Sequence, residues 1–305
     1  RKVVFTGFAA GASRLNVQAL FNSFQFGMDN RIHGTASSAG GKVKRPGEPD
    51  SKAITLRRAD FSFDPRTHEI RIETGGGQYG MSFDNEGRKF TCSNSSHAQA
   101  VMYDYHYQGL NPLFTMPSPR VGIAVDGAAA EVFRLSPDEP WRVIRTRWRI
   151  SGVVRGSVEG GGRVSGYFTG ATGLTLFRGN AYPPGFENNL FVGDAGGNLV
   201  HRKLIEENGV DLSARRPDGE EKREFIASTD NWFRPVHFAN GPDGCLYITD
   251  MYRETIEHPW SIPEEIKQHV DLNSGNDRGR IYRITPKDFK YHRPLTFAKA
   301  TTTDL

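Results

Sequence analysis

Apolar and polar residues alternate in short runs along this chain, and the runs come in pairs joined by turn residues. The clearest pair lies in Asn231–Pro259. Val236, His237 and Phe238 read as a short strand with side chains of period two. Gly241-Pro242-Asp243-Gly244 supplies the backbone angles of a tight turn, and Leu246 to Thr249 form the return strand. Asp250 ends that strand, and a polar run rich in Arg, Glu and His follows.

The hairpin recurs. Leu174–Phe177, a turn at Tyr182-Pro183-Pro184-Gly185 and Leu190–Asp194 repeat it, with Asp194 at the place of Asp250. Gly197–Arg202 then matches Gly279–Ile284 as the next strand. Met81–Phe83, a turn at Asp84–Gly87 and Lys89–Cys92 make a third copy, and Phe24–Phe26 with Ile32–Gly34 a weaker fourth. Units of roughly 50 residues have the size of a propeller blade. A small antiparallel sheet cannot bury both faces alone, whereas radial stacking buries them. The expected fold is therefore all-β: a six-bladed β-propeller over residues 1–284, with a pair of β-sandwiches as the rival. Thr55-Leu56, Phe61–Asp64 and Glu69–Ile72 read as outer strands of the first blade, and Phe133–Leu135 and Trp141–Ile150 as further strands. Asn16–Phe21 and Ser261–His269 read as short helical turns. The chain opens at Arg1 inside what reads as a strand, so N-terminal strands are expected to be missing.

Composition narrows the class. The chain has 305 residues, 37% apolar, with 34 Gly and 17 Pro, enough for a large core and too apolar for disorder. Net charge is +4, but the bases are not gathered in one block, which argues against a nucleic-acid partner. Cys92 and Cys245 lack metal-type spacing and read as two buried thiols. No stretch is long and apolar enough for a membrane span.

Candidate chemistry follows from the blade pattern. In a propeller the loops at the inner-strand ends shape a binding face, which selects Thr172 and Arg234 before inner strands, and His97, Asp194, Asp250, Arg253 and His258 after second strands. His97, Asp250 and His258 are the candidate acids or bases. Arg234 and Arg253 are candidate anion grips, and together with Asp194 and Thr172 they make up the candidate cofactor-binding residues. Each has a plainer reading: His97 as a strand cap, Asp194 and Asp250 as turn formers, Arg253 paired with Glu254 or Glu257, Arg234 packed between aromatics. Met251–Arg278 interrupts the last strand pair where the preceding unit has only Ala195-Gly196, so it is expected to cover one face. The Gly-rich runs at Gly160–Gly162 and Thr169–Gly173 lack the Gly-Lys-Ser/Thr of a phosphate loop. Asn94-Ser95-Ser96 fits a glycosylation triplet.

Five longer motifs carry a family resemblance: GYFTGATG (Gly166–Gly173), GDAGGNLVHRK (Gly193–Lys203), STDNWFRPV (Ser228–Val236), DGCLYITDMYRETIEHP (Asp243–Pro259) and SGNDRGRIYRI (Ser274–Ile284). The chain resembles the membrane-bound dehydrogenase domain of planctomycete- and verrucomicrobia-type (PVC-type) haem-binding CxxCH proteins, whose propeller is similar to quinoprotein glucose and sorbosone dehydrogenases. The resemblance implies a periplasmic or membrane-associated oxidoreductase acting on a sugar or other alcohol. It implies a pyrroloquinoline quinone cofactor, calcium on Asp or backbone oxygens, and electron transfer to a cytochrome c domain. No CxxCH occurs in the chain, so haem c would belong to a region beyond it, and residues 285–305 read as the lead-in to that helical-repeat and cytochrome region. The alternatives are a lactonase-like, metal-dependent propeller hydrolase and a non-catalytic carbohydrate- or protein-binding propeller.

Overall fold

The computed structural model describes residues 1–10, 16–108, 110–111, 113–291, 298 and 300–303. Four antiparallel sheets follow one another along the chain, each a meander whose strands pair in sequence order. The first contains Asn22–Phe26, Ile32–Thr35, Asp60–Phe63 and Ile70–Glu73. The second contains Met81–Phe83, Lys89–Ser93, Ser96–Val101 and Arg120–Gly122. In the third, Ala171–Leu176, Leu190–Asp194, Leu199–Asn208 and Asp211–Arg215 pair in turn, and Ile226–Ala227 adds to Leu199–Asn208. The fourth contains Pro235–Asn240, Leu246–Asp250 and Arg280–Ile284. The hairpin repeat read from the sequence supplies the first two strands of every one of these sheets.

The sheets meet through their first strands. Gly80 N donates to Ser23 Oγ at 3.1 Å, and Leu176 N to Ser82 Oγ at 3.1 Å. Asn240 Nδ2 donates to Leu176 O at 3.0 Å, and Thr172 Oγ1 to Pro235 O at 2.8 Å. Two glycines permit this approach. A Cβ on Gly80 (φ +109) would sit 2.3 Å from the Leu174 nitrogen, and one on Gly173 (φ +63) 2.7 Å from His237 Cα. Apolar side chains fill the space between neighbouring sheets: Phe90, Leu174, Leu190 and Val192 in one cluster, Phe177, Phe191, Phe238 and Ile248 in the next. Burial of such side chains stabilises the fold by about 1.5–3 kcal/mol each.

Several expectations are corrected. Thr55-Leu56 lies not on the first sheet but in a separate three-stranded one, Thr6–Phe8, Gly41–Lys44 and Ile54–Leu56. Phe133–Leu135 forms no strand. Trp141–Ile150 is helical: Pro140–Ile150 is an α-helix with Pro at its first turn, where the missing N–H costs nothing. Its inward face carries Trp141, Arg142 and Arg145, and Trp141 packs on Ile262 and Ile266. Those two belong to the Met251–Arg278 insertion, which holds a short helix at Glu264–Lys267. Helix and insertion thus lock together through a small apolar cluster. Cys92 and Cys245 are both buried and free. No helix among the described residues is long and apolar enough to cross a membrane. Of the expected lead-in at 285–305, residues 292–297, 299 and 304–305 lie outside the described residues, and the described part adds no strand or α-helix.

Candidate functional site

The first strands of the second, third and fourth sheets begin on one side of the molecule, and a cleft of about 880 Å³ opens there. Its floor comes from the sheets: Gln78 and Tyr79 before the second, Asn94 after a return strand, Gly170–Thr172 at the third and Val236 in the fourth. Its walls come from three added segments, the Pro140–Ile150 helix, the loop holding Arg155 to Val164, and the insertion after Asp250. The helix faces the cleft with Arg142, Arg145 and Arg149, because residues three and four apart share one helical face.

The cleft is strongly basic. Six arginines line it, Arg142, Arg145, Arg149, Arg155, Arg163 and Arg253, against two carboxylates, Glu159 and Glu257. Glu257 is already engaged by Arg145 Nη1. Arg142 Nη1 donates to Gly196 O at 3.3 Å, and Arg149 Nη2 to Ser261 O at 3.2 Å, so both guanidiniums are held in place. The Nε atoms of Arg142, Arg145 and Arg149, and Nη1 of Arg253, are buried without a hydrogen-bond partner. Burial and then repulsion from Arg145 hold the Arg149 pKa below its ordinary value. Clustered guanidiniums with unused N–H groups suit carboxylate, phosphate or sulfate oxygens.

The sequence candidates separate into two groups. Arg253 and Thr172 line the cleft, and so do Met251, Thr255 and Glu257 of the insertion. The others are buried outside its lining. Arg234 is fully buried, and its guanidinium donates to Arg253 O, Glu254 O, Ala195 O and Glu139 Oε1. Burial lowers its pKa to about 10, with Glu139 opposing the shift. Asp194 Oδ1 accepts from Gly196 N and Gly197 N, each at 3.0 Å, and burial pushes its pKa up to about 6. Asp250 Oδ1 accepts from Arg234 N and Tyr252 N, each at 2.8 Å, in the matching turn. His258 is buried, with Nδ1 accepting from Trp260 N at 3.2 Å.

His97 lies inside the Ser96–Val101 strand rather than in a loop. It is fully buried, stacked on Phe168 at 4.2 Å, and beside His201 with ring centroids 5.5 Å apart. Burial, then repulsion from His201 and Lys203, holds its pKa well below the ordinary value and leaves the imidazole neutral. The helix arginines were not singled out from the sequence. Their signal was present as Arg142, Arg145 and Arg149 at i, i+3 and i+7 behind Pro140, and it emerges only on a helical reading.

One buried carboxylate organises the helix entrance. Glu139 accepts from Arg134 and Arg234, and Arg142 Nε lies 3.6 Å away. Burial raises its pKa, but Arg142, Arg234 and Arg134 together outweigh that and hold it below the ordinary carboxylate value.

Residues 1–288 match the family described as Domain of unknown function (DUF7133), and the chain belongs to that family. No curated protein matches it. Among solved structures it is similar to a luciferin-regenerating enzyme, with TM-score 0.38 and 12% identity over 90% of this chain and 63% of that one. It is similar to the soluble aldose sugar dehydrogenase of Escherichia coli, with TM-score 0.35 and 14% identity over 76% and 60%. Virginiamycin B lyase of Staphylococcus aureus with quinupristin gives TM-score 0.30 and 12% identity over 77% and 65%. The chain thus spans 60–65% of the length of these structures.

Proposed function

We propose that the cleft binds a polyanionic organic molecule, and that this molecule is the carboxylated quinone, pyrroloquinoline quinone, of a sugar or alcohol dehydrogenase of the glucose/sorbosone type. The carrying observation is the cleft's charge: six arginines against two glutamates, one glutamate already paired, with Nε of Arg145, Nε of Arg149 and Nη1 of Arg253 buried without a hydrogen-bond partner. A tricarboxylate answers that surplus better than a neutral ligand, because Arg pairs planar carboxylates in bidentate fashion. Arg142, Arg145 and Arg149 on the helix and Arg253 on the insertion would hold it. When bound, the quinone supplies the hydride acceptor.

The chain's own residues supply the rest. Glu159 has no ion pair among the described residues, and its Oε2 accepts from Thr169 Oγ1 at 3.4 Å. It is the cleft carboxylate placed to take the proton of a substrate hydroxyl. This reading moves the base away from His97, Asp250 and His258. In the same reading the four sheets are blades of a six-bladed propeller, the protein acts in the periplasm, and a PVC-type cytochrome c region takes the electrons. Calcium does not fit the cleft: the ion needs six to eight oxygen ligands, and six cations surround two carboxylates there. The same donor set weighs against a metal-dependent hydrolase.

The test uses the full-length protein. Pyrroloquinoline quinone is titrated by calorimetry, and a panel of sugars and alcohols is assayed with an artificial electron acceptor. Arg142→Gln with Arg149→Gln is expected to weaken quinone binding at least tenfold, and Glu159→Gln to abolish turnover while sparing binding. Unchanged quinone affinity in the double variant overturns the assignment. Quinone binding without any dye reduction would turn the reading into a binding module.

A further inference from the structure

We propose that His97, His201 and Asp126 form a site for one divalent transition-metal ion of the zinc type, set between the second and third sheets and separate from the arginine cleft. The three come from different elements: His97 from the Ser96–Val101 strand, His201 from the Leu199–Asn208 strand, and Asp126 from the turn after Arg120–Gly122. One ligand atom from each lies within 4.8 Å of the others. His97 Nε2 is already 3.6 Å from Asp126 Oδ1. Phe168 walls the site, stacked on His97 and edge-on to His201 at 5.2 Å.

The second observation is unmet polarity. Both ring nitrogens of His97 and Nε2 of His201 are buried without a hydrogen-bond partner, and both side chains are 0% exposed. Buried polar atoms in folded proteins are nearly always satisfied, so three together mark a place for an absent partner. His201 Nδ1 lies 2.6 Å from Glu224 Oε2. Glu224 is itself anchored, accepting from Arg216 Nη2 and from Phe133 N, each at 3.0 Å. A carboxylate on one imidazole nitrogen fixes the proton there and turns the other lone pair outward, the arrangement that orients metal-binding histidines.

Donor chemistry sets the class of ion. Two imidazoles and one carboxylate suit zinc, cobalt, nickel or copper rather than magnesium or calcium. Three protein ligands leave a fourth position of a tetrahedron. Bonds of about 2.0–2.1 Å bring tetrahedral ligand atoms to about 3.3 Å apart, so the widest pair must close by at most roughly 1.5 Å, and the His97–Asp126 pair by far less. Asp126 sits on a turn and is the partner with freedom to move. Lys203 opposes this: its Nζ donates to both Asp126 oxygens at 2.8 Å. Metal entry must displace the ammonium from at least one oxygen, so Lys203 sets the affinity.

A buried water could also satisfy these nitrogens, given two to four polar partners, and the experiment separates the two. The tag-free full chain is stripped with a chelator and titrated with Co²⁺ followed by its visible absorption, then with Zn²⁺ in competition. The expected result is one equivalent bound with the intense spectrum of tetrahedral cobalt, displaced by zinc. Asp126→Asn, on a surface turn, should weaken binding at least tenfold with folding retained. Lys203→Met should tighten it at least tenfold, an effect that no purely structural role of the ion pair produces. Absence of tetrahedral cobalt absorption, or affinity indifferent to both Asp126→Asn and Lys203→Met, overturns the proposal and leaves a hydrated histidine pair.

Discussion

Replacing Arg234 by Met removes a charged strut while keeping most of the side-chain volume. Five hydrogen bonds leave with the guanidinium: two to Glu139 Oε1 at 3.2 Å, and one each to Ala195 O at 2.9 Å, Arg253 O at 2.9 Å and Glu254 O at 2.7 Å. Breaking a buried charge pair from one side costs about 3–5 kcal/mol. Each orphaned buried acceptor adds about 1–3 kcal/mol, although such terms do not sum fully. Glu139 keeps Arg134 and Arg142, and the carbonyls beside the cleft can turn to water. The expected loss is therefore about 4–6 kcal/mol, at or below the bottom of the simple sum. Urea unfolding followed by tryptophan fluorescence measures it. Arg234→Lys should recover less than half, because a single ammonium cannot span the acceptors that the planar fork reaches. Were Arg234 a ligand clamp, the Met variant would keep its stability and lose ligand affinity. A variant within 1 kcal/mol of the parent that no longer binds the cleft ligand refutes the strut.

Two further outcomes follow from the same geometry. Asp194 and Glu139 respond oppositely to pH. Burial raises Asp194 from 3.8 to about 6, so its contribution is full below about pH 4 and lost as pH rises through about 6. Glu139 is held below 4.5, so its contribution is present above that value and lost as pH falls through its folded-state pKa. Asp194→Asn should flatten the decline in urea midpoint between pH 4 and 7, and Glu139→Gln the decline on acidification; an unchanged slope in either contradicts its assignment. Ile266→Ala, in the cluster with Trp141 and Ile262, should cost about 2–5 kcal/mol and speed proteolysis within Met251–Arg278, checked by limited digestion with mass spectrometry.

The hairpins were legible because two local signals agree at each. Period-two apolar residues mark the strands, and turns such as Gly241–Gly244 and Asp84–Gly87 fix where the chain reverses. The Pro140–Ile150 helix was not, since its Val, Ile and Trp residues satisfy a strand pattern as well as a helical one. The deciding contact, Trp141 on Ile262 and Ile266, lies more than a hundred residues away. His97 misled for a related reason. Asn94-Ser95-Ser96 before it reads as a loop, yet the strand begins at Ser96 and the imidazole stacks on Phe168. Arg234 followed by Pro235 looked like a ligand grip, and nothing near it in sequence pointed to Glu139, ninety-five residues earlier.

The distribution of charge separates the structural arginines from those available to a ligand. Glu139 is shared by Arg134, Arg142 and Arg234, so one carboxylate answers three guanidiniums at the start of the helix. Arg234 passes that link on to the carbonyls of Arg253 and Glu254, which fastens the insertion to the same point. Helix and insertion are two of the three walls of the cleft, and both are held by groups buried outside its lining. Deeper into the helix the compensation runs short: Arg145 has Glu257, whereas Arg149 hydrogen-bonds backbone carbonyls of Ser157 and Ser261, and Glu159 and Glu257 offset its charge less than burial and Arg145 oppose it. Positive charge left uncompensated on a rigid wall raises the cost of the empty cleft and lowers the cost of an anion entering it. If the cleft takes the proposed anion, its negative groups are expected to dock toward the Arg149 end of the helix, with the Glu139 end anchoring the helix.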